Sequence, residues 1–240
     1  MVAKAGDSIT YRQSSTANGD TPFTVRYDFS AGLYQGRAAV VGTVTVNGVS
    51  AATAGVGTVY LDPVTGLALA EDAPVGGAND TLTTYDPPDW EQRLTQAGIQ
   101  GGSSGKIAVT ATVTGKSVTD GFAALGGATA LVIKYEFDIA RDANETVSTP
   151  AGSFANACKY RVDFALKDFQ VQGPAASNPL LSTMLPLLRD AFVVPTKVTL
   201  WTSDQVPFML PKAVTQTTLP APTGLVTTTQ ELTQLVKAPR

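Results

Sequence analysis

ETVSTPAGSFANACKYRVDFALKDF, residues 145–169, decides how this chain is read. Two alternating runs flank a Pro-Ala-Gly turn. In the second run Cys158, Tyr160, Val162, Phe164 and Leu166 point one way, and Lys159, Arg161, Asp163 and Lys167 point the other. A period of two is the mark of a strand with one buried and one wet face. Pro150 presets φ and Gly152 accepts positive φ, so the pair supplies the turn.

The same alternation recurs outward from this hairpin. Phe23, Val25, Tyr27 and Phe29 share a face, and so do Ile107, Val109, Ala111 and Val113. Leu131, Ile133, Tyr135 and Phe137 oppose Lys134, Glu136 and Asp138. Ala38 to Val46 reads as a strand that turns at Asn47-Gly48. Thr58 to Leu61 and Leu67 to Ala70 bracket a turn at Asp62 to Gly66. Thr196 to Thr202, Val206 to Thr217 and Leu225 to Val236 complete roughly ten strands, the pattern of an all-β meander.

Two segments break the pattern. Asp89 to Ala97 reads as a short helix capped by Asp89. Asn178 to Phe192 reads as a second, with Asn178 as N-cap and Pro179 at the first helical position. Its apolar residues cover more than one stripe and Pro186 interrupts it. A helix this apolar needs cover: as a plug in the mouth of the sheet, as the wall of a lipophilic pocket, or on a second subunit. No domain linker interrupts residues 1–240, which are read as one β domain with a helical insertion at 170–195.

Composition excludes several classes of function. Charged residues make up only 15% of the 240, against a typical quarter, and the formal net charge is −3. No lysine or arginine run exists to neutralise phosphates, so nucleic acid is not an expected partner. Histidine is absent, which removes the Ser-His-Asp and Cys-His arrangements and the usual zinc sites. The single cysteine, Cys158, has no partner for an internal disulfide and reads as a small apolar residue on the inner face. The Gly-rich stretches at 75–79, 98–105 and 121–127 lack phosphate-loop form. No cofactor and no metal is expected.

From Val147 onward the order of features resembles a loose group of bacterial exported β proteins. Thr149-Pro150-Ala151-Gly152-Ser153-Phe154 leads into Ala157-Cys158-Lys159. Val198-Thr199-Leu200-Trp201 precedes Val206 to Lys212, and Glu231-Leu232 lies in the last strand. In that group a TPAGTF…CLKV hairpin precedes a TWYAxGVGLVK hairpin and a final ELxSY strand. Its members are often lipoproteins, similar in fold to the LolA/LppX class. The resemblance covers roughly residues 145–240 and departs at Val206 to Lys212, where phenylalanine, methionine and proline replace glycines. It implies a strongly curved antiparallel sheet, a half-barrel whose concave face holds a helix or a lipid. It also implies a periplasmic or extracellular location, including an outer-membrane lipoprotein whose signal segment is not in this chain.

Candidate chemistry is sparse. Asp86, Asp89 and Glu91 in YDPPDWEQR read as a carboxylate pair for glycoside hydrolysis, as calcium ligands or, more simply, as a turn and a helix N-terminus. Glu136 and Asp138 read as a solvated face with cross-strand ion pairs. Ser153 has no base and reads as a turn residue. The expected function is therefore non-catalytic: binding of an apolar, lipid-like ligand in the concave face. The expected lining is Tyr135, Phe137, Tyr160, Val162 and Phe164 from the sheet, Leu181, Met184, Leu185 and Leu188 from the helix, and Trp201. The alternatives are a structural subunit of an extracellular or phage particle, self-associating through the 178–192 helix, and an enzyme of unknown reaction on a LolA-like scaffold.

Overall fold

The computed structural model describes residues 3–47, 49–50, 57–75, 79–100, 105–192, 195–206, 210–219 and 223–239. Its strands are β1 (Ser8–Ser15), β2 (Phe23–Tyr34), β3 (Arg37–Val46), β4 (Val49–Ser50), β5 (Thr58–Leu61), β6 (Ala68–Val75), β7 (Asn79–Asp86), β8 (Gly105–Thr114), β9 (Ala130–Arg141), β10 (Glu145–Thr149), β11 (Gly152–Gln172), β12 (Thr196–Thr202), β13 (Lys212–Thr218) and β14 (Leu225–Val236). Three α-helices stand between them: α1 (Trp90–Gln100), α2 (Lys116–Gly121) and α3 (Pro179–Phe192).

The sheet closes on itself. From β11 the hydrogen-bonded order runs β12, β13, β14, β1, β2, β3, β5, β6, β7, β8 and β9, and β9 pairs back onto β11. Among the described residues this is a barrel of twelve strands, which corrects the expected open half-barrel. The cause is the length of β11. Its 21 residues pair with β9 from Tyr160 to Gln172 and with β12 from Cys158 to Phe164, so the stretch from Tyr160 to Phe164 is bonded on both edges and joins the two ends of the sheet. Strands β1 and β14 pair from Ser8↔Val236 to Ser15↔Thr228, so the first 140 residues continue the sheet built by the rest.

Local chemistry sets the turns. The Asp62 carboxylate accepts from the Val64 and Thr65 N–H groups at 2.9 and 2.7 Å, which folds β5 back into β6. Asn47 takes φ +50° at the end of β3, and Gly48 beside it lies outside the described residues. Asn178 caps α3 as expected: its side-chain oxygen accepts from the Leu180 N–H at 2.9 Å. Asp89 meets α1 differently. Its carbonyl accepts from the Arg93 N–H, and its carboxylate pairs with the Arg93 guanidinium at 2.7 Å. Of the expected strand Val206 to Thr217, only Lys212 onward is described as strand, and residues 207–209 lie outside the described residues.

The alternation points apolar residues inward and charges outward. Inside, Ile9 lies opposite Tyr27 and Tyr11 opposite Val25, and Ile9, Tyr11, Phe29, Leu61 and Leu232 share one buried cluster. Outside, Glu136 on β9 bridges Lys106 on β8 at 3.1 Å and Lys167 on β11 at 3.0 Å, the expected solvated face. Polar-out and apolar-in is the reverse of a lipid-facing barrel wall.

Twelve strands enclose more room than side chains alone fill, so other segments close the ends. Strand β8 runs from Gly105, beside α1, to Thr114, beside α2, which puts these helices at opposite mouths. At the α2 mouth Leu181 of α3 is buried with Val118, Phe169 and Val171. At the other mouth Leu94 of α1 is buried with Ile139, Tyr160 and Val162. There the β10–β11 hairpin packs Val147 and Phe154 on the core, and the Ala151 N–H donates to the Leu232 carbonyl at 3.1 Å.

Candidate functional site

Beneath α1, inside the barrel, lies a cavity of about 370 Å³. Strands on opposite sides of the ring wall it: Tyr27 from β2, Val59 and Leu61 from β5, Glu71 from β6, Tyr160 from β11 and Leu200 from β12. Helix α1 borders it with Trp90, Glu91, Leu94 and Thr95. The helix lies there because Leu94 is buried against Tyr160 and Ile139, and because the Trp90 ring stacks on Phe137 at 5.4 Å and 15°.

Two acids enter this largely apolar chamber. Glu71 reaches it through a β-bulge. Leu61 lies opposite Ala68 and Tyr60 opposite Ala70, so Leu69 is an extra residue, and Glu71 then faces inward opposite Val59. Tyr85 on β7 donates its hydroxyl to Glu71 at 3.1 Å. Glu91 reaches the chamber from the first turn of α1. Its residue surface is exposed, although protein atoms crowd it on the cavity side. Desolvation, reinforced by the Glu71 charge, pushes the Glu91 carboxyl up to about 7. Burial pushes the Tyr160 hydroxyl up to about 12, against a hydrogen bond with Thr95. Burial and Glu71 raise Tyr27 and Tyr85 as well, so these phenols stay neutral.

A second recess, of about 570 Å³, opens at the same mouth between α1 and the β12–β13 connection. Ile99, Cys158, Thr202 and Asp204 line it, and Thr95 lines both it and the inner cavity. The free thiol of Cys158 is half-buried and donates to the Gly98 carbonyl at 3.5 Å.

The expected lining residues divide. Tyr160 walls the cavity. Tyr135, Phe137 and Phe164 fill the interior beside it with their own rings, Tyr135 and Phe164 stacking at 5.0 Å. Val162 is buried under Leu94. Leu181 and Leu185 pack into the far mouth, Met184 is exposed, and the Leu188 side chain lies outside the described residues. Trp201 lies on the other face of β12 from Leu200 and is buried in the cluster that holds Val147 and Phe154, where its indole donates to Glu145 at 2.7 Å between Lys159 and Lys212. Glu91 stood in the sequence as a helix N-terminus, and Glu71 was not singled out. The described residues hold no cluster of three or more metal-ligating side chains.

The chain matches no family model and no curated protein. Among solved structures it is similar to the hypothetical lipoprotein YmcC from Escherichia coli K12, at 10% identity over 99% of this chain and 89% of that chain, with a TM-score of 0.39. That score is too low to carry topology or role from one chain to the other.

Proposed function

We propose that this is a non-catalytic binding protein that holds a small, mostly apolar ligand inside the barrel. The observation that carries the reading is the chiefly apolar, partly open chamber beneath α1, of about 370 Å³, within the size range of small-molecule sites. At about 30 Å³ per non-hydrogen atom it takes roughly a dozen of them, a compact amphiphile and not a diacyl lipid. Burial of each CH₂ contributes about 0.8 kcal/mol, and the Tyr160 hydroxyl, the Gln230 amide and the two acids supply orientation. The recess beside Thr95 is the route in. Export to the periplasm or cell surface belongs to the same reading, supported by the low charge and by the hairpin resemblance over residues 145–240.

The test is native mass spectrometry of freshly purified protein, followed by denaturing extraction. A bound species of roughly 200 Da that leaves on denaturation is the expected result. A bare monomer that also takes up no small amphiphile on titration would sink the reading.

A second reading, assembly through α3, is favoured by the exposure of Leu180 (65%) and Met184 (44%). Light scattering across a concentration series separates the two: an unchanging monomer rules out assembly.

A further inference from the structure

Two carboxylates face the chamber, and none of the described residues lining it carries a positive charge. Among the described residues Glu71 accepts from one hydrogen-bond donor, the Tyr85 hydroxyl at 3.1 Å. Glu91, among the described residues, has neither a hydrogen bond nor an ion pair. None of the described residues that wall the chamber is a lysine or arginine. Two like charges held between Val59, Leu61 and Leu94 cost free energy that a proton or a counter-charge relieves.

The rest of the wall suits one kind of counter-charge. The rings of Tyr27, Trp90 and Tyr160 line the same space, and aromatic faces attract cations. A hard metal ion takes about six oxygens, and this chamber offers two carboxylates. An organic ammonium needs only two or so charge-assisted hydrogen bonds and apolar room for its body. Asp204 in the outer recess places a further negative charge along the route.

We propose that the chamber selects a ligand with a protonated amino group on a compact apolar body, its nitrogen seated between Glu71 and Glu91. This rests on the reading of the barrel interior as a ligand chamber. The acids then confer specificity, and the apolar wall supplies most of the affinity.

The experiment is isothermal titration of the full chain at about pH 8 with three probes of one length: octylamine, octan-1-ol and octanoate. Octylamine is expected to bind about tenfold or more tightly than octan-1-ol, with octanoate weakest. Glu71→Gln and Glu91→Gln are each expected to weaken octylamine about tenfold and so to erase its lead over octan-1-ol. Glutamine keeps the volume and removes one of two like charges that face each other, so both variants are expected to fold; the wild-type comparison stands without them. If octan-1-ol or octanoate matches octylamine, or if both variants bind octylamine unchanged, the ammonium assignment fails and the chamber reading survives. If none of the three binds, both fail.

Discussion

Gly98 of α1 lies flat on the Tyr160 ring of β11: a Cβ at position 98 would stand 2.6 Å from the ring's Cγ and 2.7 Å from both Cδ atoms. No side chain fits that gap, so the glycine is what lets the helix backbone rest on the aromatic face and roof the cavity. Gly98→Ala gains up to about 1 kcal/mol of helix propensity but overpacks the contact by about 1–3 kcal/mol. The expected outcome is a net loss of about 1 kcal/mol, read as a lower urea midpoint. A midpoint equal to wild type would mean that α1 does not rest on Tyr160.

The Glu91 carboxyl gives stability a pH dependence of definite sign. Its value rises from 4.5 to about 7 on folding, so the folded state holds the proton more tightly than the unfolded state. Stability from this group is therefore full below about pH 4.5 and declines as pH climbs toward 7. The groups facing it are Glu71 from β6, Tyr85 from β7 and Tyr160 from β11, and the two phenols stay neutral through this window. Glu91→Gln is expected to stabilise the protein by roughly 1 kcal/mol at pH 8 and hardly at all at pH 4, less than the full shift implies because the carboxyl keeps accessible surface. Thermal melts at both pH values check the sign.

Leu180 and Leu181 are sequence neighbours with opposite fates: 65% exposed against 1%. Leu181→Ala opens a cavity among Val118, Phe169 and Val171 and is expected to cost about 2–4 kcal/mol. Leu180→Ala is expected to stay within about 0.5 kcal/mol of wild type. Equal losses in urea titrations would contradict the plug at this mouth.

Glu231 on β14 ties three strands. It pairs with Arg12 on β1 at 2.7 Å and with Lys212 on β13 at 3.0 Å, and the Arg12 hydrogen bond leads in holding its carboxyl below the usual range. A lowered carboxyl contributes stability above its unfolded value, lost as pH falls through the folded one. Glu231→Gln is expected to cost about 0.5–1 kcal/mol near pH 7, and the cost should vanish in strong acid and shrink in salt.

Much of the fold was legible because it depends on neighbours in sequence. Alternation at 131–137 and 158–166 located β9 and β11 and their faces, and Asn178-Pro179 marked the start of α3. The ion pairs of Glu136 followed from the polar parity of its strand. Glu71 escaped because the bulge at Leu69 shifts parity by one residue, and such a shift exchanges the two faces of a strand. Glu91 escaped because acids are favoured in any first turn, whatever lies opposite.

By itself the sequence determined most of the strands, their inner and outer faces, and the capped start of α3. Those properties arise from periods of two and 3.6 residues and from side chains a few positions apart. Only the tertiary structure decided that β11 reaches both β9 and β12, that the terminal strands β1 and β14 pair, and that Glu71 and Glu91 share one chamber. Ring closure depends on the registers of all the strands together, and no local pattern encodes that sum.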